Sequence, residues 1–265
     1  MRPSRRRPFP LLLPVALLLL LAACFTSYGR WSYPSGHYPT TASARGSAAF
    51  VLVQPLLDLR GATNVSSMAW FYVPLVPIGW SYFDRPEGTV PGEMTTNYQG
   101  DPCADLPRAI AIELQRQRLV ARAEFAPNFE TGRGETHVLR GRLRSFFVGE
   151  SRYSYGLSVY GQLLWGLGLP MGMSSNGICV ELELVEVQSG KTVWHGDIFD
   201  SDYFVEGLYY GPQWYRFAAM WERRLREKMG ELARALGAEP APLPEQLVRD
   251  LAELPAPVRP PDRGS

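Results

Sequence analysis

The side chain with the clearest chemical signal is the thiol of Cys24, which follows the small residues Ala22 and Ala23. A thiol is a good nucleophile in its thiolate form, and here it directly follows an apolar segment. Thirteen almost wholly apolar residues end at Ala23, and arginines at positions 2, 5, 6 and 7 precede them. At about 1.5 Å per residue, this stretch is too short to span a hydrocarbon core of about 30 Å. The layout is typical of a secretory signal over residues 1–23.

The segment Leu21-Ala22-Ala23-Cys24 resembles the lipobox of bacterial lipoproteins. The resemblance implies cleavage before Cys24, a thioether-linked diacylglycerol on its sulfur and usually acylation of the new amine, for example with palmitate. Several acyl chains make a stable membrane anchor. In enteric relatives an Asp after the cysteine retains the protein in the inner membrane. Phe25 stands there in this chain, so we expect an outer-membrane location facing the periplasm. The alternative is an ordinary signal peptide with a chance cysteine.

Two further cysteines, Cys103 and Cys179, remain once Cys24 carries the lipid. The envelope of a bacterium outside the cytoplasm is oxidising, so two thiols there are able to form a disulfide. The sequence leaves two alternatives open, because distance cannot be read from it: one disulfide, or two separate buried thiols.

No spacing of chemically active residues predicts an enzyme. His37, His137 and His195 are not arranged like zinc ligands. The best acidic group is Asp197, Asp200 and Asp202, which lacks the spacing of a calcium loop and is typical of a solvated strand end. We therefore expect no metal, no cofactor and no catalytic residue. An envelope hydrolase stays as an alternative, and it requires a cleft with a perturbed carboxylate in this acidic group.

The composition narrows the class of protein. The chain has 265 residues, of which 46% are hydrophobic, which excludes an intrinsically disordered chain. Removing the four head arginines from the 27 basic residues leaves 23 against 26 acidic residues, a net charge of −3. A chain with this balance has no basic surplus for nucleic acid, so we expect no nucleic-acid partner.

Hydrophobic periodicity predicts the elements that position these residues. We expect strands at Phe50–Asp58, Ala121–Phe125, His137–Val148, Cys179–Val187 and Thr192–Phe199, the last two joined by a hairpin turn. We expect helices at Leu106–Val120 with Asp105 as its N-cap, at residues 213–236, and at Glu245–Leu254. In the third strand Arg140, Arg142 and Arg144 alternate with apolar residues, and we expect them to face Glu181 and Glu183.

This order predicts an α+β fold, with a mostly antiparallel sheet, two main helices packed on one face, and aromatic-rich loop insertions. We expect a signal peptide over 1–23, a flexible tether over 24–47, the α+β domain over 48–236, and a Pro-rich, largely disordered tail over 237–265. The domain resembles the small α/β domain of penicillin-binding-protein activators and of the amino-terminal part of TolB. That resemblance rests on element order and carries over no functional residue.

Three aromatic loops without charge suggest where this protein binds. Residues 61–83 carry no charge, residues 153–180 carry none either, and a third loop begins near residue 208. A hairpin meander brings the last two loops to one end of the sheet. We expect one aromatic surface for a membrane interface or a partner protein, from Trp70, Phe71, Tyr72, Tyr160, Trp165, Tyr209 and Tyr210. The alternative is that these loops form part of an ordinary hydrophobic core. Complete burial of Trp70 and Trp165 would favour that alternative.

These observations together predict a non-enzymatic, lipid-anchored accessory or assembly lipoprotein of the outer membrane, which engages an envelope protein complex or the membrane interface. The alternative is a carrier or chaperone of a lipid or another amphiphile. An enclosed apolar pocket between sheet and loops favours the carrier, whereas a filled interior favours the accessory protein.

Overall fold

The computed structural model of the protein describes residues 27–30, 33, 39, 41–43, 45–88, 96–209 and 217–253. These residues form nine strands and four α-helices. The strands are β1 (Ser27–Arg30), β2 (Ser47–Asp58), β3 (Asn64–Ser66), β4 (Ile78–Phe83), β5 (Thr96–Gln99), β6 (Val120–Phe125), β7 (His137–Tyr153), β8 (Pro170–Glu186) and β9 (Thr192–Gly207). The α-helices are α1 (Pro102–Arg116), α2 (Gln162–Gly166), α3 (Phe217–Ala235) and α4 (Glu245–Glu253).

Strand β7 is the centre of a seven-stranded sheet. One edge of β7 pairs with β8 in antiparallel register over almost its whole length, and β9 continues on the far side of β8. The other edge pairs first with β2, in parallel, and then with β4, in antiparallel register. Strand β6 lies outside β2, and β3 lies outside β4. The α+β class and the predicted meander of β7, β8 and β9 are confirmed.

The three meander strands run further than their periodicity predicts. We expected β7 to end at Val148 and β8 to begin at Cys179, but β7 reaches Tyr153 and β8 begins at Pro170. Strand β9 likewise continues to Gly207 instead of ending at Phe199. The Gly- and Ser-rich sequence that looked like a loop is a ladder in which small residues face large ones, as Gly177 faces Phe147.

Helix α1 begins four residues earlier than predicted. Its N-cap is Asp101, whose carboxylate accepts a hydrogen bond from the Cys103 backbone N–H at 3.0 Å, and Pro102 occupies the first turn. The predicted cap, Asp105, instead accepts a bond from the Asp101 N–H at 2.9 Å. The start predicted for α3 at residue 213 lies outside the described residues, while its end near Gly237 and the short helix α4 are confirmed.

The main core lies between one face of the sheet and the two long helices. Helices α1 and α3 both pack on this face, which confirms the predicted layer arrangement. The innermost side chains are all buried: Leu106, Ile110 and Leu114 from α1, Trp221, Leu225 and Met229 from α3, and Val51, Leu139, Leu143, Leu182 and Leu184 from the sheet. Burial of apolar area at this interface supplies the main driving force for folding.

The opposite face of the sheet carries the predicted ladder of charges. Arg140 pairs with Glu183 at 3.0 Å, and Arg144 pairs with Glu181 at 2.9 Å. The Arg144 guanidinium lowers the pKa of the Glu181 carboxyl by hydrogen bonding to it. These pairs are largely exposed, so each contributes only a few tenths of a kcal/mol, but their alternation helps to set the strand register.

A buried ionic group joins α1 to α3. Arg226 on α3 donates to Glu222 at 2.7 Å and lies 3.1 Å from a carboxylate oxygen of Glu113 on α1. All three side chains are buried. Tyr33 donates its hydroxyl proton to Glu113 at 2.9 Å, and burial raises the pKa of this phenol far above its usual range. The guanidinium of Arg226 also donates to the backbone carbonyl of Pro39 at 2.6 Å.

Several described residues of the predicted tether, which covers 24–47, contact the domain, while β1 pairs with β5 in a separate two-stranded sheet. In addition to Tyr33 and Pro39, the Ser43 N–H donates to the Gln117 carbonyl at 2.7 Å. The tail is also packed over its described part: the Glu239 N–H donates to the Arg45 carbonyl, and Leu247 is buried. Residues 254–265, where we expect disorder, lie outside the described part.

Replacing Arg226 by leucine is expected to lower the free energy of unfolding by about 3–5 kcal/mol, because it leaves the buried carboxylates of Glu113 and Glu222 without their cation. Urea denaturation of the purified protein measures this loss. The matched control is Arg249→Leu, since the Arg249–Glu245 pair on α4 is exposed and is expected to contribute less than about 0.5 kcal/mol. Equal effects of the two substitutions contradict the prediction.

Candidate functional site

Three chain segments meet at one end of the sheet. They are residues 67–77 between β3 and β4, residues 154–169 between β7 and β8, and residues 208–209 after β9. The register explains the meeting, because Ile78 lies opposite Tyr153 and Pro170 lies opposite Gly207. The predicted convergence of the loops is confirmed, and the pairing of β4 with β7 places the first loop there as well.

Hydrogen bonds fix the three segments to one another. Each joins a group of one segment to a backbone carbonyl of another, so the loops form one unit. The bonds run from Leu75 N–H to Gly156 (2.9 Å), Ser158 Oγ to Tyr72 (2.7 Å), Ser154 Oγ to Val76 (2.5 Å) and Tyr209 hydroxyl to Gly166 (2.9 Å). Gly161 is required at its position, since a Cβ there would collide with the carbonyl oxygen of Ser154.

Three buried side chains pack together beneath these loops. Phe71, Trp165 and Met171 form a separate small core in which Phe71 and Trp165 are each 4% exposed. Their ring centroids lie 5.9 Å apart, and the Trp165 indole N–H donates to the Tyr153 carbonyl at 3.0 Å. Phe71 and Trp165, both predicted for the binding surface, are therefore corrected to core residues that support it.

The outer layer of the loops is apolar and exposed to solvent. We name this layer the apolar tip and define it by seven exposed side chains, Trp70, Tyr72, Leu75, Tyr160, Leu163, Leu167 and Tyr209. Trp70 is 53% exposed, Leu167 is 76% exposed and Leu75 is 89% exposed. Trp70, Tyr72, Tyr160 and Tyr209 thus lie on the surface as expected, while Tyr210 lies outside the described residues. The loops thus contain both an exposed apolar layer, as the binding-surface hypothesis expects, and a buried layer beneath it, as the core hypothesis expects.

The backbone of the tip is strained. Leu75, Tyr155 and Ser158 adopt positive φ angles of 68°, 55° and 55°, and they are three of the five non-glycine residues with positive φ in the described chain. Each such conformation costs of order 1–3 kcal/mol and persists only where the surroundings enforce it. Here the hydrogen bonds between loops enforce it, and the strain accompanies an outward-pointing Leu75.

A buried polar group lies just below the tip, on the face of the sheet that also carries the main core. The Arg152 guanidinium donates to a carboxylate oxygen of Glu206, and the Ser174 hydroxyl donates to the other oxygen at 2.5 Å. All three side chains are buried. Because Arg152, Ser174 and Glu206 come from β7, β8 and β9, this group holds the distal ends of the three strands together. It makes the tip a rigid extension of the sheet.

The acidic group predicted on β9 is divided between the two faces of the sheet. Asp197 lies opposite Glu181 on the charged face, whereas Asp200 lies opposite Ile178 on the buried face. Side chains alternate between the two faces along a strand, so residues 197 and 200, which are three positions apart, lie on opposite faces. Asp200 accepts hydrogen bonds from Arg223 on α3, and burial nevertheless raises the pKa of its carboxyl. This arrangement is a structural ion pair between strand and helix, and Asp202 also lies on that side.

Cys103 and Cys179 lie on α1 and β8, and no disulfide joins them, which corrects the first of the two alternatives. Both thiols are partly buried. Burial raises the pKa of the Cys103 thiol to about 11, and the neighbouring Asp58 carboxylate acts in the same direction. Such a thiol is a poor nucleophile and a poor metal ligand at neutral pH.

The remaining candidate residues are placed as follows. Cys24 and His37 lie outside the described residues, so lipidation stays a prediction. His137 and His195 lie on β7 and β9. In the ranges that the structure describes, no three His, Cys, Asp or Glu side chains are arranged to hold a metal ion. No described helix is both long enough and apolar enough to cross a membrane.

A pocket of about 510 Å³ lies far from the tip, at the opposite end of the sheet. Its wall includes Gln54, Glu135, Arg140 and the turn between β8 and β9. The carboxylate of Glu135 accepts backbone hydrogen bonds from Gly132 and Arg133, which lowers its pKa. Val138, Val185 and Val187 also line this pocket, so its wall combines apolar side chains with a few polar groups.

No model of a known protein family matches this sequence, and no curated protein matches it. Solved structures with a similar arrangement include a protein from Xanthomonas campestris of the family model DUF330, with 10% identity and a TM-score of 0.37 over 78% of this chain and 92% of that one. Another is described as a neuraminyllactose-binding hemagglutinin homolog from Helicobacter pylori, with 10% identity and a TM-score of 0.36, covering 81% and 96%. A third is lipoprotein GNA1162 from Neisseria meningitidis, with 15% identity and a TM-score of 0.29, covering 70% and 99%.

Similarity at this level identifies neither a function nor a partner. The neighbours do include a bacterial lipoprotein. These three structures do not show the resemblance to penicillin-binding-protein activators or to TolB, which stays a prediction.

Truncation of Trp165 is expected to destabilise the protein far more than truncation of Trp70. Trp165→Ala removes the centre of the small core beneath the tip and is expected to lower the free energy of unfolding by about 3–5 kcal/mol. Trp70→Ala removes an exposed side chain of the same type and is expected to change it by less than about 1 kcal/mol. Chemical denaturation of both variants is the measurement, and similar losses contradict the two-layer structure.

Cys103 and Cys179 are expected to be alkylated by iodoacetamide after denaturation without any reductant. In the native protein at pH 8, Cys103 is expected to react slowly, because a pKa of about 11 leaves only about one thiol in a thousand as thiolate. Peptide mass spectrometry measures both reactions. A peptide pair linked through Cys103 and Cys179 contradicts the expectation, and added reductant is the control because it should reveal no further thiol.

Proposed function

We propose that this chain is a non-enzymatic lipoprotein of the bacterial outer membrane, anchored through Cys24 on the periplasmic side. It acts as an accessory or assembly protein that binds through its apolar tip. The anchor is supported by the signal and lipobox in the sequence, and the binding role is supported by the structure of the tip.

The observation that carries the binding role is the exposure of the tip on a filled base. Leu75, Leu163 and Leu167 present aliphatic side chains to solvent, and no charged residue occurs in 67–77 or 154–169. Contiguous apolar patches are uncommon on soluble monomers and mark interaction sites. The hydrogen bonds between the loops hold this patch in one conformation, so little entropy is lost when it binds.

The same base favours the accessory role over the carrier role. A carrier of an amphiphile needs space between the loops and the sheet, whereas Phe71, Trp165 and Met171 occupy that position. The hydrolase alternative depends on a perturbed carboxylate in a cleft. Asp200 has a raised pKa, but Arg223 and Arg224 hold it against α3.

Palmitate labelling and membrane fractionation of the wild type beside Cys24→Ala test this proposal. We expect the label and the outer-membrane location in the wild type, and the loss of both in the variant, because Cys24 is the residue that accepts the lipid. Cys103→Ala is the matched control and is expected to keep both. An unlabelled, soluble wild-type protein overturns the anchor and with it the proposed function.

A further inference from the structure

We propose that the apolar tip inserts into the lipid interface of the membrane that holds the anchor, so that the protein contacts this bilayer at two points. This inference rests on the proposed function, since it requires the lipid on Cys24. It specifies that the tip binds lipid and not a protein.

The first argument is the short distance between the anchor and the folded chain. Strand β1 begins at Ser27 and pairs with β5, only three residues after Cys24. Three extended residues span at most about 11 Å. Downstream, Tyr33 and Pro39 are bound to Glu113 and Arg226. The chain therefore does not hold the domain at a distance from the bilayer, and some part of its surface has to lie against the headgroups.

The second argument is the chemistry of the tip. Its most exposed side chains are the aliphatic Leu75 and Leu167, and the aromatic Trp70, Tyr160 and Tyr209 accompany them. Aliphatic side chains with Trp and Tyr beside them are the composition of protein surfaces at a membrane interface. The absence of charge from 67–77 and 154–169 removes the largest cost of entering that region.

The third argument is that two hydroxyl groups of the loops have their hydrogen-bond partners within the loops themselves. The Tyr209 hydroxyl donates to the Gly166 carbonyl, and the Ser158 hydroxyl donates to the Tyr72 carbonyl. Insertion into lipid requires such internal pairing, because the apolar region offers no hydrogen bonds. A protein partner is usually recognised through unpaired polar groups and charges at the rim of the apolar patch.

The placement of charge along the sheet agrees with one orientation. Arg144 lies nine residues before Tyr153 on β7, which corresponds to about 30 Å along an extended strand. The charged ladder of Arg140, Arg144, Glu181 and Glu183 therefore stays in water when the tip enters the interface.

Site-specific fluorescence in vesicles tests the insertion. The lipidated full chain, with Cys103→Ala and Cys179→Ala, is reconstituted into vesicles of phosphatidylethanolamine and phosphatidylglycerol. An environment-sensitive nitrobenzoxadiazole probe is attached to Leu167→Cys at the tip or, as the matched control, to Ser189→Cys in the turn between β8 and β9. We expect a blue-shifted emission at position 167 and quenching by acyl-chain spin labels at least about five-fold stronger than at position 189.

A second variant tests the insertion independently of any change in structure that the attached probe causes. Leu75→Asp with Leu163→Asp changes two exposed side chains and is expected to fold, while abolishing most of the quenching at position 167. Equal, water-like emission at positions 167 and 189 in the anchored protein overturns the insertion. That result leaves the proposed function intact with a protein as the partner, whereas a wild type without palmitate removes the proposed function itself.

Discussion

The rest of the structure depends on the long antiparallel ladder between β7 and β8. Its first half forms the floor of the main core under α1 and α3, and its second half projects beyond the helices. A sheet extension without a helical cover has to bury one face by other means. Phe71 and Trp165 supply that cover from two different loops, so the small core and the apolar tip above it are consequences of the length of this ladder.

Buried charges hold the molecule together at two levels. Near the tip, Arg152 and Glu206 join β7 to β9, and Ser174 completes the group from β8. Between the helices, Arg226 joins α3 to Glu113 and also binds the chain before the domain at Pro39. Buried ion pairs contribute little net stability, but they discriminate strongly against arrangements that leave a charge unpaired. Both groups therefore specify which elements meet, and the second one keeps the segment that follows the predicted anchor against the domain.

The sequence predicts the parts of this fold that have a simple period. Alternation of Arg140, Arg142 and Arg144 with apolar residues identifies β7, its exposed face and its partner strand. The hydrophobic period fails beyond Val148, because the buried positions there are occupied by the charged residues Glu150 and Arg152. The uncharged loops indicate a binding surface, yet of the adjacent residues Trp70 and Phe71 the first is exposed and the second is buried. That difference depends on the contact of Phe71 with Trp165, 94 residues away along the chain, which no local pattern records. The docking of Tyr33 is invisible for the same reason.

The strain in the tip bears on why an apolar surface stays exposed. Leu75, Tyr155 and Ser158 all hold positive φ angles, although a relaxed loop could avoid this cost and turn Leu75 toward the small core. That core is already closed by Phe71, Trp165 and Met171, so it has no room for a further leucine. The close packing beneath the loops and the hydrogen bonds between them therefore direct the Leu75 side chain outward, into solvent. The apolar tip is a preorganised surface, and its exposure follows from the packing beneath it.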